Sequence, residues 1–521
     1  ATTGWGLGSW GGVQQGQFTS TLSSELSASA TSLTMASSSS FASSGTVQIG
    51  TELITYTGNS GGTLSGLTRG ATGTTAAIHS SGATVTDASN YFAWNSAASG
   101  DIVTAPGLWS LDNLGNKLIA TINGGESFEW DSNPTGANNT RATIISGAPT
   151  ASAFSLVSTP DRHLVFFGTE TTIGTSSTQD PMFIRFSSQE DINTYTPSAT
   201  NTAGTQRLAD GSKIVGAIRG RDAIYVWTDT ALFTMRFVGP PFTFSFQQVG
   251  TNCGLIGQNA AVEVDGTAYW MSENGFFRYA GRLESLPCLV EDHVFDDINT
   301  IPKQHINAGL NNLFGEVMWF YPNSGSGTVN RMVAYNYLDS SPERPVWTVG
   351  TLARTSWQDS AVFGKPHATE YDTSSNGTSG SSTFVQGNTD GVSYYYEHET
   401  GLDQIREGAT TAITANIESG NFDIGQQGLA GDGEFMMKIR RVLPDFLAQT
   451  GDSRITLNLR DFPNDTQASS TLGPFTISSA TQKIDTRARA REISLKVENT
   501  STSQFWKLGT FRIDYQPDGR R

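Results

Sequence analysis

Cysteine is nearly missing from this sequence: Cys253 and Cys288 are the only two in 521 residues. No CxxC or Cys–His spacing accompanies them, so we expect two small buried hydrophobes in a chain made in a reducing cytoplasm, rather than a disulfide. Charged residues are sparse at 15%, and a basic surplus is lacking, since the net charge is −16. DNA affinity comes from Lys and Arg displacing counterions, so gripping a phosphate backbone is disfavoured. An acidic bore that lets DNA pass without adhering is compatible with the same charge. No run of 18 apolar residues occurs and no signal-peptide pattern opens the sequence, so no membrane span is expected. The six histidines (79, 163, 293, 305, 367 and 398) show no HxH or HxxxH spacing, which argues against a zinc site.

What is present points to strands. Glycine reaches 56 residues, and Ser, Thr and Asn crowd the intervals between apolar runs. Glycine supplies positive φ and the short polar side chains bond their own backbone, a mix suited to many short strands joined by tight turns. With 10% aromatics and 11 Trp, the chain has the material for real cores, which argues against disorder. Its length allows two to four domains and needs no staple. We expect an all-β chain: a β-propeller of about six blades, a small inserted N-terminal β-domain and a C-terminal β-sandwich-like domain.

Four segments follow. Residues 1–15 hold Thr3-Gly-Trp-Gly-Leu-Gly-Ser-Trp-Gly-Gly12, an extended strap whose rings at Trp5 and Trp10 suit docking on another surface. Residues 16–90 break into short β-type runs. In Glu52-Leu-Ile-Thr-Tyr-Thr57, Ile54 and Tyr56 share one face and Leu53, Thr55 and Thr57 the other. Asn59-Ser-Gly-Gly62 reads as a hairpin turn. Removing this block would bring Trp10 close to Tyr91, as an insertion requires.

Residues 91–410 repeat loosely, with starts near Leu108, Phe154, Ile214, Ala261, His305 and Ala361. At ~45–50 residues per four-stranded blade, about six blades fit, with two sandwiches as the alternative. The clearest pieces are the hairpins Ala223–Thr228 with Ala231–Phe237 and Thr267–Met271 with Gly275–Tyr279, read as the inner half of a blade. Their near-continuous apolar runs indicate sheets covered on both faces. Residues 372–391 read as a loop. From 411 to 521 polar and apolar residues alternate, as in half-buried sandwich strands. Residues 432–521 hold 14 Lys+Arg against 11 Asp+Glu. Their wet face is therefore cationic, and the acidic blades of a neighbouring copy are natural partners for it.

Several of these runs resemble a known group. Gly420-Asn-Phe-Asp423, Arg441-Val-Leu-Pro-Asp-Phe446, Leu459-Arg-Asp-Phe-Pro-Asn464, Lys483-Ile-Asp-Thr-Arg487, Arg489-Ala-Arg491 and Leu508 to Arg521 are similar to the C-terminal region of phage short-tail nozzle or hub (tail tubular) proteins. Ser188–Pro197, Asn201–Gly204 and Tyr394-Tyr-Tyr-Glu-His-Glu399 resemble the propeller of the same group. The 16–90 block is similar to β-modules inserted in phage structural proteins. The resemblance implies a homohexameric ring below a head-to-tail adaptor, a DNA-ejection conduit, anchorage for tail fibres or spikes, and a place in the virion tail. It carries over no catalytic, metal or cofactor residue. We expect Arg440, Arg441, Arg487, Arg489 and Arg491, with Trp5 and Trp10, at subunit contacts.

Motifs for other chemistry are weak. Gly58-Asn-Ser-Gly-Gly62 matches GxSxG formally, but a Thr-rich strand follows where a nucleophile elbow needs a helix. Asp131-Ser-Asn-Pro-Thr-Gly136 opens like a calcium loop, yet Ala142 stands where the bidentate Glu belongs. Glu291, Asp292, His293, Asp296 and Asp297 form the densest titratable cluster and read as a solvated short helix. Two rival functions remain: a glycan-binding tail adhesin using Trp5/Trp10, Tyr394–Tyr396 and Phe242–Phe246, and a propeller glycosidase using Asp296.

Overall fold

Strands dominate because β-branched and aromatic runs alternate with Gly-, Asn- and Ser-rich turns: 51% of the described residues are strand and 3% helix. The structure, a computed structural model, describes residues 19–71, 74–88, 108–131, 142–159, 161–360, 363–372, 392–424, 434–465 and 467–519. The strap with Trp5 and Trp10, the Asp131–Gly136 loop beyond Asp131, and almost all of 372–391 lie outside the described residues. Two compact units emerge, Ala1–His398 and Glu399–Arg521, so the break falls a dozen residues before the change of texture at 411. Among the described residues no helix is long and apolar enough to cross a membrane.

The first unit opens with two small sheets. One has the order Thr19–Thr21, Thr84–Asp87, Gly45–Ile49, Glu52–Tyr56, and the other Ser32–Thr34, Thr63–Ser65, Gly58–Ser60. The alternation in Glu52–Tyr56 puts Glu52, Ile54 and Tyr56 inward, where Leu33, Val47, Leu64 and Val85 complete a core. The GxSxG stretch is the expected hairpin turn, with Gly61 and Gly62 both at positive φ between two paired strands.

A run of antiparallel sheets follows, each built from consecutive strands. Sheet I contains Trp109–Leu114, Lys117–Ile122, Ser127–Asp131 and Thr143–Ile144; sheet II contains Phe154–Ser158, His163–Phe167, Phe183–Phe186 and Gly204–Arg207. Sheet III contains Ile214–Arg219, Ile224–Thr228, Ala231–Gly239 and Thr243–Thr251; sheet IV contains Ala261–Val264, Thr267–Ser272, Gly275–Tyr279 and Leu283–Ser285. Sheet V contains Asn307–Asn311, Glu316–Tyr321, Arg331–Asn336 and Trp347–Gly350, and sheet VI contains Ser356–Gln358, His367–Asp372 and Val392–Glu397. The expected repeat starts at Phe154, Ile214 and Ala261 coincide with first strands; the fifth begins at Asn307, two residues after His305, and Ala361 lies outside the described residues.

First strands of successive sheets lie side by side from sheet I through sheet VI. The hairpins singled out from sequence are the second and third strands of sheets III and IV. Second strands hold the core because they have neighbours on both faces: every residue of His163–Phe167 and Ile224–Thr228 is buried. Trp227, Trp270 and Trp319 recur on the second strands of sheets III, IV and V and are fully buried. Trp227 and Trp270 lie 5.2 Å apart, and Phe276 packs 4.8 Å from Trp319. Indole N–H groups need partners when buried. Trp270 donates to the Cys253 carbonyl at 2.8 Å and Trp319 to the Ala260 carbonyl at 3.0 Å, fastening both sheets to the connector between sheets III and IV.

In the second unit a four-stranded sheet has the order Asn416–Glu418, Glu492–Glu498, Ser453–Arg460, Ser470–Ile477. A three-stranded sheet has the order Ile484–Ala490, Met437–Leu443, Arg512–Pro517. Inward residues of both, including Ile439, Val442, Ile455, Leu457, Ala488 and Val497, form one core. The period of two read from the sequence is the signature of these half-buried strands.

Candidate functional surfaces

Three places gather polar chemistry. The first is the C-terminal ends of the first strands in the first unit. Asp112 of sheet I accepts the Val157 N–H of sheet II at 2.7 Å and the Arg219 guanidinium of sheet III at 2.8 Å, so one carboxylate ties three sheets. Asn312, just past the first strand of sheet V, donates to Asp359 beyond that of sheet VI at 2.6 Å. Between them Arg219, Gly220, Arg221, Glu263, Asp265 and Gly266 line a shallow depression of about 480 Å³. Its two cations and two carboxylates give it no strong bias toward either sign.

The second is a set of buried clusters. His163, fully buried, lies 2.8 Å from Asp161 through Nδ1 and 3.0 Å from the Thr202 hydroxyl through Nε2. Ser158 donates to the other Asp161 oxygen at 2.6 Å, and the Gln189 N–H donates to Thr202 at 2.8 Å. The geometry parallels an acid–base relay, but Phe186, Phe237 and Phe244 surround the imidazole, and every polar atom is turned to a neighbouring segment. It works as a clamp between sheet II and the loop before its last strand.

In the N-terminal module Glu52, at 1% exposure, accepts from Arg69 Nε and Nη2 at 2.8 and 2.7 Å and from the Gly70 and Ala77 N–H groups at 3.0 Å each, and lies 2.7 Å from His79. Burial alone would raise its pKa. The bonds from Arg69, Ala77, His79 and Gly70 outweigh that and pull it down to about 2. In sheet VI, Arg354 donates to His398 at 2.8 Å and to Glu370 at 2.9 Å, over the Tyr396 ring. Burial, then the Arg354 charge, pushes His398 down to about 4, so it accepts as the neutral imidazole.

The third place is the outer face of the three-stranded sheet in the second unit. Lys438, Arg440 and Arg441 emerge from its middle strand, Arg487 and Arg489 from one edge strand, and Arg512 from the other. Four of the five expected contact arginines thus share a sheet, but two are already engaged within the chain. Arg441 donates to Asp485 at 2.8 Å and Arg489 to Asp518 at 2.6 Å. Lys483 and Arg441 hold Asp485 below the usual carboxylate range, and Arg489 does the same for Asp518. Arg491, beyond the edge strand, donates to the Glu434 carbonyl at 2.7 Å. Arg440 and Arg487 remain exposed. Counted by unit, Ala1–His398 holds 17 Lys+Arg against 32 Asp+Glu, and Glu399–Arg521 holds 15 against 16. The second unit is therefore near neutral as a whole, and its positive charge is a property of one face.

No family model and no curated protein matches the chain. Solved structures do. A computationally designed protein, Ika8, is 11% identical over 68% of this chain and 94% of its own, with a TM-score of 0.30. A putative 6-phosphogluconolactonase from Bacteroides fragilis is 12% identical over 64% and 92%, at 0.32. An exo-β-1,3-galactanase from Phanerochaete chrysosporium is 9% identical over 78% and 95%, at 0.25. At such scores the likeness carries no argument about this chain.

The remaining sequence candidates are scattered. Glu291–Phe295 is one short helix with Glu291 and Asp292 in its first turn. Asp297, after it, pairs with Arg331 at 3.5 Å. Tyr395 is exposed on sheet VI and Phe242 in a turn of sheet III. Cys253 is buried and Cys288 half-buried; both are free thiols, pushed up to about 11 by burial. Among the described residues no group of three or more His, Cys, Asp or Glu is poised for a metal. Sequence reasoning missed Glu52, Asp161, His163 and Arg354, whose partners lie at separations that form no motif.

Proposed function

We propose that the chain is a structural subunit of a bacteriophage tail nozzle or hub, a homohexameric ring around the DNA-ejection conduit. The observation that carries this reading is the succession of sheets I to VI with first strands side by side. We read them as six blades of a β-propeller, with residues 16–90 as an inserted β-module and the second unit as a β-sandwich. The resemblance of the runs from Gly420 to Arg521 to tail nozzle proteins supplies the biological setting: a virion tail, a head-to-tail adaptor above, and fibres or spikes attached.

On this reading the protein acts mechanically and uses no catalytic residue, metal or cofactor. Its acidic first unit lets DNA slide past, because carboxylates repel phosphates and release no condensed counterions. The cationic sheet face offers neighbouring copies a complementary surface. Native mass measurement of the purified chain tests the assembly. Six copies of 55.7 kDa give about 334 kDa. A monomer at micromolar concentration would sink the reading.

A further inference from the structure

We propose that the two edges of the three-stranded sheet in the second unit pair with each other between copies, Arg512–Pro517 of one copy docking in parallel on Ile484–Ala490 of the next. The inference rests on the ring reading and specifies what closes the ring.

Both edge strands pair antiparallel with the same central strand, Met437–Leu443, so they run in the same direction. A neighbouring copy placed edge to edge, with strand direction kept, therefore makes a parallel pair. Such a contact is heterologous: each copy offers one edge and receives the other, the arrangement that closes into rings. Among the described residues Arg512–Pro517 is exposed along almost its whole length, and such an edge is a ready template for pairing with another chain.

The rows across the sheet offer two registers, because past the bulge between Ile439 and Arg441 the rows change: Arg441 pairs with Asp485 and Asp514, and Val442 with Ile484 and Ile513. Before the bulge the rows are these. Ile439 pairs with Ala488 on one side and Tyr515 on the other; Lys438 pairs with Arg489 and Gln516; Met437 pairs with Ala490 and Pro517. Extending the rows before the bulge into a second copy sets Tyr515 beside Ala488 and Gln516 beside Arg489. Counting back one residue at a time, Asp514 falls beside Arg487, Ile513 beside Thr486 and Arg512 beside Asp485.

The faces agree with this register. Asp485, Arg487 and Arg489 are exposed and alternate with inward Ile484, Ala488 and Ala490. Arg512, Asp514 and Gln516 occupy the matching outward positions. Each row of Arg512, Asp514 and Gln516 then joins opposite charges or a cation and an amide, and each alternate row sets a larger side chain against a smaller one. Cross-strand neighbours of opposite sign stabilise a sheet and like charges oppose it. Extending instead the rows through Arg441 and Val442 would put Asp514 against Asp485, so the charges select the first register.

Charge swapping on the full-length chain tests this. D514K and R487D each place like charges across the joint, while both positions are exposed, so the fold, checked by circular dichroism, stays. We expect each variant alone to lose assembly, the monomer-to-oligomer ratio rising at least about 100-fold at equal concentration. An equimolar mixture of the two should assemble again, because each altered edge then meets its complement. Variants that assemble like the wild type, or a mixture that stays monomeric, would overturn the edge pairing and leave the ring reading standing. A wild-type chain that never assembles would overturn both.

Discussion

Replacing Glu52 by Gln is the substitution whose consequence can be worked furthest. The carboxylate is buried and takes bonds from Arg69, Gly70 and Ala77, with His79 at 2.7 Å. Its pKa falls from 4.5 to about 2 on folding. Because the folded value is the lower one, the stabilisation is fully present above pH 4.5 and is lost as pH falls through 2. At about 1.4 kcal/mol per unit, the ionised group contributes about 3 kcal/mol at neutral pH. E52Q removes the charge and turns amide hydrogens toward donors, so the module should lose roughly that amount. Amide hydrogen exchange reads it locally: Gly70 and Ala77 should exchange about 100-fold faster, while amides of sheet IV around Trp270 keep their protection. Unchanged protection at Gly70 and Ala77 would refute the reasoning.

Two further outcomes follow from the same physics. His398 is held low, at about 4, so the stability of sheet VI should decline as pH falls from about 6.5 toward 4, by on the order of 1–2 kcal/mol after discounting for its partial exposure. H398Q should flatten that dependence in a pH series of exchange rates, and an unaltered slope would contradict the assignment. W270F keeps most of the ring but removes the N–H bonded to Cys253, which should cost about 1–3 kcal/mol. W270A adds a cavity and should cost about 3–5 kcal/mol, read by thermal unfolding; equal losses for the two would show that the hydrogen bond, not packing, dominates.

The sequence disclosed strands better than sites, for a physical reason. Hairpins such as Ile224–Thr228 with Ala231–Gly239 are local, so their apolar runs and polar turns are written in consecutive residues. The alternation of Arg454-Ile-Thr-Leu-Asn-Leu-Arg460 likewise reports one buried face, and Ile455 and Leu457 are fully buried. Their place within a sheet was less legible, because a first strand such as Ile214–Arg219 and the covered second strand are both apolar. Buried clusters escaped altogether: Glu52 meets partners 17 to 27 residues away, and Arg354 meets one 44 away. The texture change at 411 also differs from the contact break at His398. The hairpin of Asp403–Arg406 with Ala409–Ala412 carries no sandwich-like alternation, yet Asp403 accepts the Ser503 N–H at 2.8 Å. Arg487 was legible as a cation, but its place on an edge strand that runs parallel to the opposite edge could be read only once both edges were seen to pair with Met437–Leu443.

The central claim is that copies of this chain close around an open centre. Electron microscopy of the purified full-length protein, with class averages viewed down the symmetry axis, tests it most directly. The account predicts rings of six subunits with a hole wide enough for duplex DNA; isolated protomers, or closed particles with a filled centre, would contradict it.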